Sequence, residues 1–242
     1  MSALRVLLLG HGRMGQLVES LAPSYGAEIA GVIDDQSGPD AIIEGHFGSV
    51  DVAIDFTRAD VVPANFPQLA SRGVNVVIGT TGWQAHEPAM REVAAAAGIG
   101  VLAASNFSLG MHLFQLVVEE AARRFGPHAD FGAWIHEAHH AMKRDAPSGT
   151  AVTLQAGMSS AGYPRPIDVS STRAGSIPGT HTVGFDGPSE TIELTHTVRD
   201  RAVFARGALV AARWLVGRKG WFSMRDVLGG SGEVLGGSGR DS

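Results

Sequence analysis

Short apolar runs alternate with amphipathic stretches along the first half of the chain. Leu4–Leu9 is an apolar run that ends at Gly10, as a buried parallel strand does, and a helical pattern follows over residues 13–22. Further strand-like runs cover 28–33, 50–56, 74–79 and 99–103, and helical patterns cover 60–71 and 84–97. Strands that alternate with helices predict an α/β fold with a parallel, doubly wound sheet.

The pattern changes beyond Asn106. An amphipathic helix is predicted over 111–125 and further helices over 150–161 and 202–216. A strand is predicted over 131–137, and a β-rich stretch over 169–198 in which Ile192, Leu194 and His196 share one face. This predicts a second, α+β domain with an antiparallel or mixed sheet. We expect a first domain at 1–108, a second at 109–205, a C-terminal helix and segment at 206–228 that return to the first domain, and a flexible Gly/Ser-rich tail at 229–242.

A G-x-G-x-x-G motif follows the first strand and opens a helix; it consists of Gly10, His11, Gly12, Arg13, Met14 and Gly15. The first glycine permits a tight turn, the second lets a pyrophosphate approach the backbone, and the third lets helix and strand pack closely. Asp34 lies at the end of the second strand, ~20 residues on, where a carboxylate accepts hydrogen bonds from the adenine ribose. The motif predicts a Rossmann-like dinucleotide site; a glycine-rich packing turn is the alternative.

The acidic pair Asp34-Asp35 bears on the choice of cofactor. A 2′-phosphate favours an arginine or lysine at this position, and two carboxylates repel it. The sequence therefore predicts a preference for NADH. NADPH is the alternative, because Arg13 could reach a 2′-phosphate.

Polar loops follow the later strands of the predicted sheet. The carboxyl ends of parallel strands are where open α/β sheets contact ligands, so these loops are candidate cofactor contacts; ordinary polar turns are the alternative. The candidates are Asp55-Phe56-Thr57, Gly79-Thr80-Thr81-Gly82 and Ala104-Ser105-Asn106-Phe107.

Residues 137–150 gather ionisable groups in front of a helix start: Glu137, His139, His140, Lys143 and Asp145. Ser148, Gly149 and Thr150 precede an Ala-rich apolar run, so Ser148 reads as a helix N-cap, and a helix N-terminus binds anions. We expect the histidines and the lysine to lie on the approach loop, where they can donate protons to the anion. The segment predicts a pocket that binds a carboxylate and moves a proton beside it.

Each of these residues also has a simpler interpretation. His139 and His140 could be solvated or structurally satisfied histidines, and Arg199 and Arg201, which could each pair with a carboxylate, could be surface arginines. A metal site is not expected, because the spacing matches no common zinc motif and Lys143 would repel a cation.

Composition narrows the class of protein. The chain has 242 residues, 19 Lys+Arg, 24 Asp+Glu and a net charge of −5, and its basic residues are scattered, which argues against nucleic-acid binding. The absence of cysteine rules out disulfides and thiolate chemistry. No apolar run is long enough to cross a membrane and the N-terminus lacks the layout of a signal peptide, so we expect a cytoplasmic protein.

Five motifs together resemble the 4-hydroxy-tetrahydrodipicolinate reductase family over nearly the whole chain. They are Gly-Arg-Met-Gly at 12–15, Ile-Asp-Phe-Thr at 54–57, Gly-Thr-Thr-Gly at 79–82, Ser-Asn-Phe-Ser at 105–108 and Glu-Ala-His-His-x-x-Lys-x-Asp-Ala-Pro-Ser-Gly-Thr-Ala at 137–151. The resemblance implies an NAD(P)H-dependent reduction of a cyclic dicarboxylate to tetrahydrodipicolinate with loss of water, in diaminopimelate and lysine biosynthesis. It also implies a homotetramer.

The resemblance also assigns roles to individual residues. His139 matches the family's proton donor/acceptor, Lys143 a proton donor and His140 a substrate contact. The carboxylate-binding turn corresponds to Gly149 and Thr150, and a second carboxylate contact to Arg201. The glycine loop is one residue shorter than the family's usual G-x-x-G-R-M-G, and the shorter segment 36–49 predicts the loss of a helix and a strand.

Two other classes of protein remain as alternatives. A non-catalytic, redox-sensing dinucleotide-binding module would keep the glycine loop and Asp34. It would not require His139, His140 and Lys143 beside an anion-binding turn. A metal-dependent hydrolase would lose its activity with a chelator and ignore NADH.

Overall fold

The computed structural model describes residues 2–37, 40–45 and 47–229, and they form two compact units. The first unit comprises Met1–Ser108 together with the segment from Ala202 onward, and the second comprises Leu109–Arg201. The second unit thus ends at Arg201 rather than at 205, because Ala202 begins a helix that belongs to the first unit. The tail predicted at 229–242 lies, apart from Gly229, outside the described residues.

The first unit is built on a six-stranded parallel sheet, which confirms the predicted doubly wound α/β architecture. Its spatial order is β2-β1-β3-β4-β5-β10. The strands are β1 (Leu4–Leu9), β2 (Ala27–Ile33), β3 (Val52–Asp55), β4 (Asn75–Ile78), β5 (Gly100–Ala103) and β10 (Gly220–Phe222).

The first unit also contains α-helices, and the first four of them connect consecutive strands. The helices are α1 (Arg13–Leu21), α2 (Ala41–Glu44), α3 (Val62–Ser71), α4 (Glu87–Ala97), α7 (Ala202–Leu215) and α8 (Met224–Val227). Alternate strand residues such as Leu7 and Val76 pack with Phe66 of α3 and Met90 of α4 in one buried core. Helix α7 packs on α1 and along β3, β4 and β5.

The strand order of this sheet reverses between β1 and β3, since β2 lies on one side of β1 and the later strands lie on the other. Ligands of open α/β sheets bind outside the carboxyl ends of the strands at such a switch point. The glycine motif follows β1, Asp34 follows β2 and Phe56 follows β3, so the topology brings three predicted cofactor segments to this edge.

The second unit is an α+β structure with a mixed, four-stranded sheet of order β7-β6-β8-β9, as predicted. Strands β6 and β7 run parallel, whereas the other pairs are antiparallel. Its elements are α5 (Leu109–Phe125), β6 (Gly132–His139), α6 (Gly149–Ser160), β7 (Ile167–Arg173), β8 (Thr180–Asp186) and β9 (Thr191–Thr197).

One face of β6 packs against the helices of the second unit. Ala133 and Ile135 pack with Val118 of α5 and Leu154 of α6 in its core. Side chains two positions apart share a face, so Glu137 follows on the buried side. The strand runs two residues past its predicted end at Glu137, because pairing with β7 continues to the register His139–Arg173.

The stretch 36–49 holds one helical turn, α2, where the sequence predicted the loss of a helix, and its described residues form no strand. Among the helices of the described residues, none is both long and apolar enough to span a bilayer.

Candidate active site

The glycine loop forms an open cradle at the start of α1. Gly10 has φ 89°, and a Cβ there would lie 2.5 Å from the carbonyl oxygen of Phe56. A Cβ on Gly15 would lie 2.1 Å from the carbonyl oxygen of Gly10, so only glycine lets the helix approach the strand this closely. At Gly12 an added Cβ would meet no atom within 4 Å. The space in front of Gly12 is therefore open to a phosphate group.

A cavity of about 630 Å³ adjoins this cradle. Asp34 lies in its wall, where its Oδ1 accepts hydrogen bonds from the Gln36 amide (3.0 Å) and the Ser37 hydroxyl (3.3 Å). These bonds fix the direction of the carboxylate. An open cradle beside an oriented carboxylate fits the phosphates and ribose of a dinucleotide.

The predicted cofactor residues divide into two groups. Those that line the cavity are Gly10, His11, Gly12, Asp34 and Phe56. Those that do not line it are Arg13, Met14, Gly15, Gly79, Thr80, Thr81, Ala104, Ser105, Asn106 and Phe107. The later strand-end loops are nevertheless tied to the same sheet edge, because the Gly79 and Ala104 amides donate to the carbonyls of Asp55 and Ile78.

Two predicted contacts serve as supports for these loops. The Thr80 hydroxyl is buried and donates to Asp55 Oδ1 (2.8 Å), which also accepts from the Thr57 amide (2.9 Å). Burial raises the pKa of Asp55, and the hydrogen bonds from Thr57 and Thr80 oppose this rise. Phe107 is buried and packs edge-on against Phe56, with ring centroids 6.1 Å apart. The side chains of Thr80 and Phe107 thus hold the loops in place.

Arg58 is a cavity residue that the sequence analysis missed. Its guanidinium lies 3.3 Å from Asp35 Oδ1 and 3.2 Å from Asp60 Oδ2, and it is 63% exposed. The available signal was its position, three residues beyond the carboxyl end of β3. The cation nearest the acidic pair is therefore already shared between two carboxylates.

In the second unit, β6 delivers both Glu137 and His139 to the buried side of the sheet. His139 is the last residue of the strand and is 9% exposed, so the prediction that it lies on the approach loop is wrong; His140 and Lys143 do follow the strand. The strand pleat, rather than a loop, sets the direction of the His139 imidazole. A Cβ on Gly179 would lie 3.1 Å from His139 Nε2, so glycine at this position leaves that nitrogen uncrowded.

Glu137 is fully buried and saturated with donors. Arg173 pairs with it bidentately, Nη1 to Oε2 at 2.9 Å and Nη2 to Oε1 at 2.7 Å, and His139 Nδ1 is hydrogen-bonded to Oε2. Oε1 also accepts from the Ser148 amide at 3.2 Å. Burial alone would raise the pKa of Glu137, but these hydrogen bonds and one from Ser171 outweigh burial and lower the pKa to about 2.

His139 is shifted towards its neutral form. Burial lowers its pKa; the Glu137 carboxylate pulls the pKa upward, while the charges of Lys143 and Arg173 add to the lowering. Binding of an anion nearby would raise this pKa and favour the imidazolium.

The start of α6 lies beside the same carboxylate. Ser148 caps the helix, since its Oγ accepts from the Ala151 amide at 3.2 Å, and it also lies 3.2 Å from His181 Nε2. A Cβ on Gly149 would meet no atom within 4 Å, so the space beside Gly149 is open. His181 is 4% exposed, and burial, together with the charge of His139, lowers its pKa to about 4.

Lys143 is held close to this turn. Its Nζ lies 2.8 Å from Asp145 Oδ1, and its amide donates to the carbonyl of His140. The pKa of Asp145 lies below its usual range because of this hydrogen bond, to which the Gly149 amide adds another. Lys143 and the Gly149 amide are therefore close enough to share one carboxylate.

The structure brings an unpredicted arginine to the cluster. Arg173 binds Glu137, whereas Arg199 and Arg201 are exposed, and no hydrogen bond or ion pair between described residues ties either of them to His139 or Lys143. The alternation along β6 could have indicated such a partner. Glu137 shares a face with Ala133 and Ile135, so its carboxylate is buried and needs a cation. The sequence did not identify the cation, because the β6–β7 register is a long-range property.

Three potential metal ligands, Glu137, His139 and His181, have ligand atoms within 4.8 Å of one another. Arg173 occupies both oxygens of the carboxylate, so a metal ion would have to displace the guanidinium and bear its repulsion. This arrangement argues against a cation site.

The chain matches the N-terminal and the C-terminal model of one protein family. Residues 4–107 match the model of dihydrodipicolinate reductase, N-terminus, and residues 110–228 match that of the C-terminus. The 4-hydroxy-tetrahydrodipicolinate reductase of Methanoregula boonei is 41% identical over 255 residues, covering 93% of this chain and 98% of the relative. The enzyme of the same name from Methanoculleus marisnigri is 39% identical over 249 residues, covering 90% and 96%.

Among solved structures, the dipicolinate-bound dihydrodipicolinate reductase from Paenisporosarcina sp. TG-14 superposes with a TM-score of 0.75 at 22% identity, covering 91% of this chain and 97% of that one. This similarity confirms the fold. The matches to both family models and the identity of 39–41% over almost the full length of the relatives lead to one conclusion. The chain belongs to the dihydrodipicolinate reductase family.

Proposed function

We propose that the protein reduces 4-hydroxy-tetrahydrodipicolinate to tetrahydrodipicolinate in diaminopimelate and lysine biosynthesis. The hydroxylated dicarboxylate, NAD(P)H and a proton give tetrahydrodipicolinate, NAD(P)⁺ and water. Membership of the family supports this reaction. The observation that carries it is the buried Glu137–His139 pair beside Lys143 and the open start of α6.

The second unit supplies the groups that a dicarboxylate substrate requires. One carboxylate would bind the turn of Ser148, Gly149 and Thr150, where the space beside Gly149 at the start of a 12-residue helix is open. We assign the second carboxylate to Arg201 and a further substrate contact to His140, as the family resemblance implies. Two anion contacts would orient the ring of the substrate.

Proton delivery falls to His139 and Lys143. Reduction of a conjugated imine builds negative charge, which a protonated imidazole or an ammonium group nearby quenches by giving up a proton. The pKa of His139 is lowered, chiefly by burial, which favours its neutral form in the free protein. A bound dicarboxylate would raise the pKa of His139 and recruit it as a donor.

The first unit would hold the cofactor. Bound NAD(P)H supplies the hydride. The cradle at Gly12 suits its pyrophosphate and Asp34 its adenine ribose; the other strand-end loops, at 79–81 and 104–107, follow along the same edge of the sheet.

We propose that NADH is preferred over NADPH. Asp34 and Asp35 both line the cavity, and Arg58 is already paired with Asp35 and Asp60. A 2′-phosphate would meet two carboxylates and would have to compete with them for the guanidinium. A kcat/KM clearly higher with NADPH would refute this preference.

We further propose a homotetramer built through the second unit. Strand β9 is an edge of its sheet, and α5 exposes an apolar stripe of Leu113, Leu116 and Val117. Unpaired strand edges and contiguous apolar surface favour association. Sedimentation equilibrium tests the proposal, and a monomer at micromolar concentration would refute it.

The cytoplasm is the compartment that we propose, because the reaction consumes a reduced nicotinamide nucleotide made and recycled there. Fractionation of cells that express the protein tests this assignment. Recovery of the activity outside the cytoplasmic fraction would contradict it.

The direct test of the reaction follows NADH absorbance after addition of freshly made 4-hydroxy-tetrahydrodipicolinate. The proposal predicts oxidation that depends on enzyme and substrate. No oxidation at micromolar enzyme would refute it.

A further inference from the structure

We propose that Glu137, which forms a bidentate ion pair with Arg173, is a positioning residue of this site. Its carboxylate fixes the tautomer of His139 and accepts a hydrogen bond from the Ser148 amide at the start of the substrate-binding turn. This inference rests on the proposed function, which gives His139 its proton-transfer role and the turn its carboxylate-binding role. It adds two residues, Glu137 and Arg173, to the groups on which the reaction depends.

Both oxygens of the Glu137 carboxylate are occupied by hydrogen-bond donors. Glu137 is 0% exposed and takes hydrogen bonds from β6, β7 and the start of α6: His139 Nδ1 and Arg173 Nη1 at Oε2, and Arg173 Nη2 and the Ser148 amide at Oε1. A buried carboxylate without a cation would take up a proton. Arg173 therefore keeps Glu137 ionised and able to accept only.

The ionised carboxylate fixes the tautomer of the His139 imidazole. An ionised carboxylate has no proton to give, so His139 Nδ1 must carry the hydrogen that bonds it to Glu137. The proton that the reaction exchanges is then confined to Nε2. Position 179 is a glycine, so no side chain crowds Nε2; a Cβ on Gly179 would lie 3.1 Å from that nitrogen. A base oriented by a buried carboxylate is a recurring solution in acid–base catalysis.

The Glu137 carboxylate also couples the position of the His139 imidazole to that of the turn at Ser148. Oε2 holds His139 and Oε1 holds the Ser148 amide, so one rigid group sets both positions. Arg173 also donates from Nη2 to the carbonyl of Asp145 at 2.6 Å, which ties the loop after β6 to the same guanidinium. Loss of Arg173 would release the carboxylate and the loop together.

The charges around the pair determine the expected pH dependence. The Lys143 ammonium and the Arg173 guanidinium face His139 and lower its pKa; Asp145 lies beside Lys143 and Arg173. From β8 and β9, His181 and His196 face the cluster, and burial lowers the pKa of both, so they are neutral at pH 7. Glu137 is therefore the negative charge in direct contact with His139.

The experiment compares kcat–pH profiles of the full-length wild-type enzyme with those of four single-substitution variants. Glu137→Gln removes the charge that raises the pKa of His139, so the limb that reports protonated His139 should move to lower pH by about one unit or more. Its kcat should fall about tenfold or more, part of the ~10²–10⁴ that acid–base catalysis contributes. Glu92→Gln, the same change at an exposed position of α4 in the first unit, should keep the wild-type profile.

Arg173→Met should move the acidic limb, on which activity is lost as the pH falls, to higher pH. Without the guanidinium, burial raises the pKa of Glu137 from about 2, so Glu137 protonates within the assay range and activity is lost at higher pH than in wild type. Arg173→Lys keeps a cation and should give an intermediate limb. This graded order distinguishes positioning from a purely structural role.

A second readout is independent of turnover. In ¹⁵N-histidine NMR, the His139 signal, assigned by its loss in His139→Gln, should report an Nδ1-protonated tautomer in wild type and a mixture in Glu137→Gln. Unchanged limbs in both Glu137→Gln and Arg173→Met, or an Nε2-protonated tautomer in wild type, would overturn the inference. If wild type fails to oxidise NADH, the proposed function fails, and the NMR result still decides the tautomer.

Discussion

The two candidate sites of this protein are assembled in different ways. The cradle of the first unit is made by backbone within six consecutive positions, Gly10 to Gly15, and its acidic partner follows at the end of the next strand. The cluster of the second unit is made by side chains from four elements, β6, α6, β7 and β8. A backbone site can be found from local sequence, whereas a side-chain site depends on strand register.

The sharpest test of this contrast is His139→Gln. It removes a proton carrier but should leave the cradle intact, so kcat should fall by about 10²–10⁴ while the KM for NADH stays unchanged. Steady-state kinetics measures both constants. His128→Gln, at an exposed position of the same unit, is the matched control. Wild-type turnover in His139→Gln would remove His139 from the chemistry.

The cradle can be tested with a pair of matched glycine substitutions. A Cβ at Gly15 would meet the Gly10 carbonyl oxygen at 2.1 Å, so Gly15→Ala should destabilise the fold by about 1–3 kcal/mol and lower the Tm by about 2–10 °C. A Cβ at Gly12 meets open space, so Gly12→Ala should keep the Tm within about 2 °C.

The same pair should differ in cofactor binding. Gly12→Ala fills the space assigned to the pyrophosphate and should raise the KM for NADH about tenfold, equivalent to about 1.4 kcal/mol of lost binding. Thermal unfolding and steady-state kinetics report the two effects separately. An unchanged KM in a folded Gly12→Ala enzyme would contradict the placement of the phosphates.

A smaller effect is expected at the carboxylate-binding turn. Thr150→Val keeps the shape of the side chain and removes one hydroxyl, so the KM for the dicarboxylate should rise about two- to tenfold, the range of a single hydrogen bond of ~0.5–1.5 kcal/mol. The KM for NADH should not change. A fall in kcat with no change in either KM would place Thr150 in the chemistry instead.

The smallest effect concerns cofactor choice. Arg58 is 63% exposed and neutralises Asp35 and Asp60, so Arg58→Ala should leave the cavity more negative. The ratio of kcat/KM with NADH to that with NADPH should rise about two- to fivefold, in keeping with the modest strength of exposed ion pairs. A falling ratio would show that Arg58 does not attract the 2′-phosphate.

The sequence predicted most of the fold because its signals are local. Apolar runs ended by glycine marked the strands of the first sheet, and Ser148 was correctly identified as the cap of α6. The position of His139 was predicted wrongly, because pairing with β7 extends β6 beyond the apolar run. Arg173 and Arg58 were missed, since a guanidinium on a polar strand or after a turn looks like a surface residue until its partner is known.

The proposed reaction is hydride transfer from NADH to a cyclic dicarboxylate, with protons supplied by His139 and Lys143. The most direct measurement is the rate of NADH oxidation with freshly made 4-hydroxy-tetrahydrodipicolinate, for wild type and for the His139→Gln/Lys143→Ala double variant. We expect rapid oxidation by wild type and a rate reduced by at least about 10² in the double variant. No oxidation by wild type, or equal rates for both proteins, would contradict it.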